Sequence, residues 1–427
     1  MIKFIKNSIT AIALSLLATA NLSAQPGFGK AEKINADWRF HLGEIDAKKT
    51  IDARDRSWRT VQLPHDWTIK QTYNPALASA TGYLPGGIGW YQKKLNIAKE
   101  DEGKKLYLYF EGVYNRSEVF LNGQSLGKRP NGYISFNYDI TPYVKYGAEN
   151  QITVRVDHSQ DADSRWYTGS GIYRDVYLVR ANPVHLEQWG VYAYPEVKGK
   201  DGILHTQTAL KNESASAAQL TVLSEILDKN GSVVAKKSSK VTLSANANQE
   251  FKTDLAVKNP KLWSVDEPNL YRLRTTVTQN NNVIDSSTVV TGFRTYTFDA
   301  NKGFALNGKN MKVKGVCLHH DSGVLGAEVY PEVWRRRLSA LKSLGVNAIR
   351  TSHNPQASSL YDLCDELGLL VMDEAFDEWE FPKRKWLQGW NVGTPGYQGT
   401  FDFFKEWGER DLADMVKRDR NHLSIFA

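Results

Sequence analysis

The chain changes periodicity once, near Phe304, and that change constrains what it can fold into. Beyond it, "MKVKGVCL", "VNAIRTS" and "LLVMDEA" read as strands, the last apolar throughout, as a strand covered on both faces should be. Between them, "VWRRRLSALKSLG" puts Trp334, Leu338 and Leu341 on one helical face. "SSLYDLCDELG" turns Leu360, Leu363, Cys364 and Leu367 inward before Gly368, and "WGERDLADMVKRDRNH" supplies a third helix. Strand and helix in alternation predict a parallel sheet with right-handed crossovers, the first three βα units of a (β/α)8 TIM barrel over 296–427. "LSIFA" reads as the opening of a fourth strand. A whole barrel takes about 250 residues, so a partial barrel is expected, with apolar edges and faces left uncovered.

Before Phe304 the texture is short alternating strands. "KKLYLYFEGV" separates Leu106, Leu108 and Phe110 from Tyr107 and Tyr109, and "SEVFLNGQSLG" carries the Asn122-Gly123 hairpin turn. Residues 25–182 are therefore expected to form a jelly-roll β-sandwich, the architecture of galactose-binding-like domains. "RANPVHLEQ" marks a boundary, and 183–295, with turns at Asn230-Gly231 and Asn281-Asn282, fits an immunoglobulin-like β-sandwich.

Residues 1–24 read as a secretory signal peptide: Lys3 and Lys6, then the apolar run Ile9 to Ala20, with cleavage after Ala24. This predicts export to the periplasm or beyond. The apolar run is too short to span a bilayer. The net charge of +7 is dispersed among acids, which argues against a nucleic-acid surface. Cys317 and Cys364 both sit in apolar runs and are expected to be free, buried thiols.

In such a barrel, function gathers at the carboxyl ends of the strands. Those ends read His319-His320-Asp321, Thr351-Ser352-His353-Asn354, and Asp373-Glu374 running on to Asp377-Glu378. Adjacent Asp373 and Glu374 face opposite sides of a strand, so at least one of them is expected to anchor backbone rather than address a shared bond. His319 and His353 are either packed histidines or ligand contacts, and their placement favours contact. Trp379, Trp386, Trp390 and Tyr397 in the loop that follows either stack on a sugar ring or pack the loop down. In the first sandwich, "DADSRWYTGSGIYRDV" sets Asp163, Arg165 and Trp166 before Gly169 and Gly171, as in a loop that reaches a neighbouring domain.

From about residue 35 onward, "LPHDW", "FEGVYNRSEVFLNG", "SRWYTGSGIYRDVYL", "TGFRTYTFD", "FALNGKNMKVKGVCLHHD", "NAIRTSHNP", "LYDLCDELGLLVMDEAFDEW" and "MVKRDRNH" together resemble glycoside hydrolase family 2, in its β-galactosidase branch. The resemblance implies retaining hydrolysis of terminal β-D-galactosides by two carboxyl groups about 5 Å apart. It implies that Asp163, His319, His353 and Asn354 bind sugar hydroxyls. Glu378 matches a position that binds a divalent ion in some members, but its histidine partner is replaced by Glu380. No cofactor is required, and Glu378 is the single candidate ligand for a divalent or monovalent metal ion. The family's acid/base glutamate ends barrel strand four and its nucleophile strand seven, so both are expected beyond Ala427 and the chain alone is expected to be inactive. The strand-end pattern differs from that of β-glucuronidases, implying a neutral galactoside. The alternatives are a non-catalytic carbohydrate-binding module, or a β-glucuronidase or β-mannosidase.

Overall fold

The computed structural model describes residues 26–45, 55–160, 162–388 and 392–427, and excludes the side chains of 392–395. The export signal expected over 1–24, and Trp390, lie outside the described residues.

Two antiparallel sheets form the first sandwich. The larger runs in the order Arg59–Val61, Trp38–Leu42, Gly87–Ile97, Ala148–His158, Ser117–Leu121, Gln124–Arg129. The smaller runs Lys30–Lys33, Val176–Ala181, Lys105–Phe110, Phe136–Asp139. Trp38, Phe40, Leu108, Val119 and Val154 fill the space between them. The Asn122-Gly123 turn takes φ of 53° and 82°, the left-handed pair that a two-residue hairpin needs.

Strand Lys105–Phe110 is buried on both faces. Leu106, Leu108 and Phe110 enter the jelly-roll core, as their spacing requires. Tyr107 and Tyr109 on the other face pack into a second core with Leu186, Leu204 and Leu210 of the next domain. The Tyr107 hydroxyl donates to Glu213 Oε2 at 2.6 Å. A phenol suits this position, because its ring joins the shared core while its polar end meets a carboxylate. The immunoglobulin-like domain itself comprises a three-stranded and a four-stranded antiparallel sheet over Val184–Thr291.

A short hairpin, Tyr296–Asp299 with Gly303–Leu306, leads into three parallel strands, Gly315–Leu318, Ala348–Thr351 and Leu370–Met372, in sequence order. Helices α1 (Pro331–Ser343), α2 (Ser358–Leu367) and α3 (Phe401–Asp419) alternate with them. Residues 424–427 lie along the third strand: Val371 donates to Ser424 O at 2.8 Å, and Phe426 donates back to Val371 O at 3.0 Å. The expected pair of buried thiols holds for Cys364 and fails for Cys317, which is exposed. The Cys317 sulfur lies 3.6 Å from Arg350 Nη1.

Two titrating groups lock α2 and α3 to the sheet. Asp373 accepts from the Tyr361 hydroxyl at 2.6 Å and from Thr351 Oγ1 at 3.0 Å. Burial, and then Asp419, push its pKa from 3.8 to about 7. His422 Nδ1 lies 2.7 Å from Asp365 Oδ2. Burial alone would lower its pKa, but Asp365 and its neighbours raise it from 6.5 to about 9. Both groups bind their proton more tightly folded than unfolded, so their contributions are lost as pH rises through about 7 and about 9. The urea midpoint should therefore fall between pH 6.5 and pH 9, and His422→Gln should lower the midpoint at pH 6.5 while shrinking that fall. An equal decline in the variant would contradict the assignment.

Candidate functional site

A pocket opens where loops of the jelly roll meet the carboxyl ends of the second and third barrel strands. Asp163, Tyr114, Asn115 and Trp166 line it from the jelly roll, and His353 and Asn354 from the barrel. The loop carrying Asp163 does reach the barrel: Arg165 pairs with Asp377 at 2.5 Å, and the Trp166 ring stacks on His319 at 5.0 Å.

Asp163 is buried and accepts hydrogen bonds from the Tyr114 hydroxyl at 2.9 Å and Asn115 Nδ2 at 2.7 Å. Burial alone would raise its pKa, but His158 at 3.5 Å, then Arg116 and Tyr114, hold it below the usual carboxylate range. It is a fixed anion at neutral pH. His319 is set by Nδ1 against Ser352 O at 2.7 Å, and burial lowers its pKa, keeping the ring neutral. His353 Nδ1 lies 3.2 Å from Glu374 Oε2, and Glu374 also binds Arg350 Nε at 2.5 Å. Glu374 therefore orients His353, while Asp373 anchors Tyr361 and Thr351, so the two carboxylates do divide as strand geometry demands. Asn354 is buried, and its Nδ2 has no hydrogen-bond partner. Asn115 Oδ1 is buried and unpartnered as well.

His319 thus stands behind Trp166, while Asp163, His353 and Asn354 line the pocket directly. His320 is a packed residue, set against Tyr133 and Tyr173, with Nε2 bonded to Thr168 O at 2.8 Å. Trp379 and Tyr397 are exposed, and Trp386 lies under Arg384; none of the three lines the pocket. Phe376 and Phe403 supply aromatic surface in their place. Tyr114, Asn115 and Tyr133 were not singled out in the sequence. The signal for Tyr114 and Asn115 was the loop "GVYN", whose polar and aromatic residues interrupt the strand alternation, and for Tyr133 the Asn131-Gly132 turn just before it.

At Glu378, which matches a metal-binding position by resemblance, the structure places a cation of the chain itself. Its carboxylate is buried, bonded by the Lys385 ammonium and by the Lys383 N–H at 2.7 Å. With Lys385 itself fully buried against it, the carboxylate is already neutralised by a fixed cation, and a metal ion would add charge to that cation's position. The one grouping at metal-ligating distance among the described residues, Asp362, Asp365 and His422, contains a histidine protonated at neutral pH, which offers no lone pair to the Asp365 side.

Three family descriptions match the chain in succession from residue 31 to residue 427. The sugar binding domain of glycosyl hydrolases family 2 matches residues 31–182, a second family 2 domain 184–294, and the family's TIM barrel domain 300–427. The chain belongs to glycosyl hydrolase family 2. Among its relatives, the β-galactosidase BoGH2A of Bacteroides ovatus is 46% identical over 395 residues, covering 92% of this chain and 45% of that protein. A putative β-glucuronidase of Formosa agariphila is 40% identical, covering 92% and 36%. The crystal structure of a family 2 member from Bacteroides cellulosilyticus superposes with a TM-score of 0.86 at 38% identity, covering 93% of this chain and 51% of that one. This family 2 chain thus spans about half the length of the relatives it matches, or less.

The Glu378–Lys385 pair gives a sharp test. Lys385→Met strands a buried carboxylate and should cost about 3–5 kcal/mol in urea unfolding. Adding Glu378→Gln should recover most of that loss, and magnesium should leave the melting temperature of the unmutated chain unchanged. Magnesium stabilisation abolished by Glu378→Gln would restore the metal reading.

Proposed function

We propose that this chain is the sugar-recognising portion of a family 2 β-galactosidase, with Asp163, His353 and Asn354 holding the terminal sugar and His319 setting the Trp166 ring. The observation that carries this reading is the pocket's unmet polarity: an ionised acceptor at Asp163, an unpaired donor at Asn354 Nδ2 and an unpaired acceptor at Asn115 Oδ1. Buried polar groups without partners cost about 1–3 kcal/mol each. A ligand rich in hydroxyls, each both donor and acceptor, removes that cost.

The charge balance supports a neutral sugar. Arg165 pairs with Asp377, and Arg116 lies between Asp163 and Asp402. A uronate placed near Asp163 would meet a like charge. The β-galactosidase relative at 46% identity agrees with this, and the putative β-glucuronidase at 40% supplies the rival to be tested.

Asp163 is held as an acceptor and Asp377 is paired with both Arg165 and Lys383, so neither is assigned an acid/base or nucleophilic role. The retaining hydrolysis proposed for the whole protein relies on the two glutamates expected beyond Ala427. Export through residues 1–24 is part of the same proposal and would bring the pocket to extracellular glycans.

Calorimetric titration of the 427-residue chain with galactose and with glucuronate tests the substrate class. Galactose should bind at least about tenfold more tightly, and Asp163→Asn should abolish that preference. Tighter glucuronate binding would replace the galactoside reading with the β-glucuronidase one. An aryl β-galactoside should show no turnover, and measurable hydrolysis would overturn the assignment of both glutamates beyond Ala427.

A further inference from the structure

We infer that His158, with its tautomer set by Ser170, is a positioning residue that aims the Asp163 carboxylate into the sugar pocket. The inference rests on the reading of Asp163 as the sugar's acceptor.

His158 ends the jelly-roll strand Ala148–His158 and is 2% exposed. It does not itself line the pocket, and the Tyr114 ring meets it edge-on at 5.0 Å. Its two nitrogens face different partners. Nδ1 lies 2.6 Å from Ser170 Oγ. Nε2, which makes no hydrogen bond, lies 3.5 Å from Asp163 Oδ1.

A neutral imidazole carries one N–H, and the contact at one nitrogen decides whether the other bears it. With the proton on Nδ1, the Nε2 lone pair would face an ionised carboxylate and be repelled by it. With the Ser170 hydroxyl donating to Nδ1, the proton sits on Nε2 and points at Asp163. Electrostatics therefore selects the second arrangement, and the Ser170 hydroxyl is the donor that makes it.

Ser170 is placed for this by its neighbours. It is buried, its N–H donates to Asp66 Oδ1 at 3.0 Å, and its carbonyl accepts from Trp67 N at 3.1 Å. Gly169 and Gly171 flank it at φ 68° and 128°. A Cβ at Gly169 would lie 2.5 Å from Asp66 Oδ2, and one at Gly171 would lie 2.5 Å from His65 O, so glycine is needed on both sides. The run "GSG" thus gives the backbone the room that brings the Ser170 hydroxyl to His158. Asp66 Oδ2 also accepts from Ala327 N at 3.0 Å, so the docked barrel and Ser170 share one anchor.

Both oxygens of Asp163 are consequently flanked by donors. Tyr114 and His158 face Oδ1, while Asn115 Nδ2 and, at 3.8 Å, Arg116 Nη1 face Oδ2. Without the His158 N–H, the carboxylate is freer to turn about its own bond, and its aim at the sugar is lost.

Proton–nitrogen correlation spectra of the full chain labelled at its nine histidines, with His158 assigned from His158→Gln, read the tautomer directly. At neutral pH, His158 should carry its proton on Nε2, and Ser170→Ala should abolish that preference. In calorimetric titration with galactose, His158→Leu should lose at least about tenfold in affinity, whereas His158→Gln, which keeps an amide donor near Nε2, should lose less than about threefold. Circular dichroism establishes that each variant is folded, and should the leucine variant fail to fold, Ser170→Ala, expected to lose at least about threefold, takes its place. A proton on Nδ1, a doubly protonated ring, unchanged affinity in His158→Leu, or equal loss in the leucine and glutamine variants would overturn the inference. An unmutated chain that binds no galactose would overturn the proposed function, whereas a wrong tautomer in a chain that does bind it would overturn this inference alone.

Discussion

The structure turns on one guanidinium. Arg418 is buried, doubly bonded to Asp419 at 2.7 Å, and its remaining N–H groups reach Ser135 Oγ of the jelly roll at 3.2 Å and Gln356 O of the barrel at 2.8 Å. A buried charge is tolerated only when its donors are met in good geometry, so those three segments cannot drift without cost. The residues that follow extend the joint. Arg420 donates to Trp189 O at 3.3 Å, Asn421 exchanges bonds with Ala193 at 2.9 Å and Val191 at 2.8 Å, and His422 pairs with Asp365. Five consecutive residues thereby fix all three domains to one another.

The two interfaces of the jelly roll use different physics. Against the immunoglobulin-like domain it shares an apolar core through Tyr107 and Tyr109, which fixes proximity more than angle. Against the barrel it uses buried, directional bonds. Asp66 accepts from the N–H of Ser170, Thr68 and Ala327, each at 3.0 Å, and Arg174 spans from Tyr133 O to Pro355 O, both at 3.0 Å. A pocket whose walls come from two domains needs the second kind, because an error of about 1 Å between walls ruins its hydrogen-bond geometry.

Much of this was legible in the sequence. Period-two strands, the Asn-Gly turn and the later βα alternation are local signals, and the elements they imply are present. Three facts were not local. The spacing sets Tyr107 and Tyr109 on the face opposite Leu106, Leu108 and Phe110, but nothing in it reveals that a second domain packs against that face. Glu378 read as a metal position because Lys385, seven residues on, gives no sign in one dimension that its ammonium folds back onto the carboxylate. "RDRNH" does lead to residues that pair with the third strand, but that each of its residues is also a joint between domains only the packed structure reveals.

The pocket's specificity follows from how its charges are spent before any ligand arrives. Asp377 holds Arg165 and Lys383, Asp402 and Asp163 hold Arg116, and Glu374 holds Arg350 beside His353. Every nearby cation is thereby committed, and Asp163 remains ionised with its lone pairs directed by Tyr114 and Asn115. An incoming carboxylate would have to break one of these pairs and take its place, whereas a hydroxyl only has to satisfy Asn354 Nδ2 and Asn115 Oδ1. Discrimination in such a site comes from the unpaired group that the wrong ligand leaves behind, and the proposed preference for a neutral sugar rests on that difference.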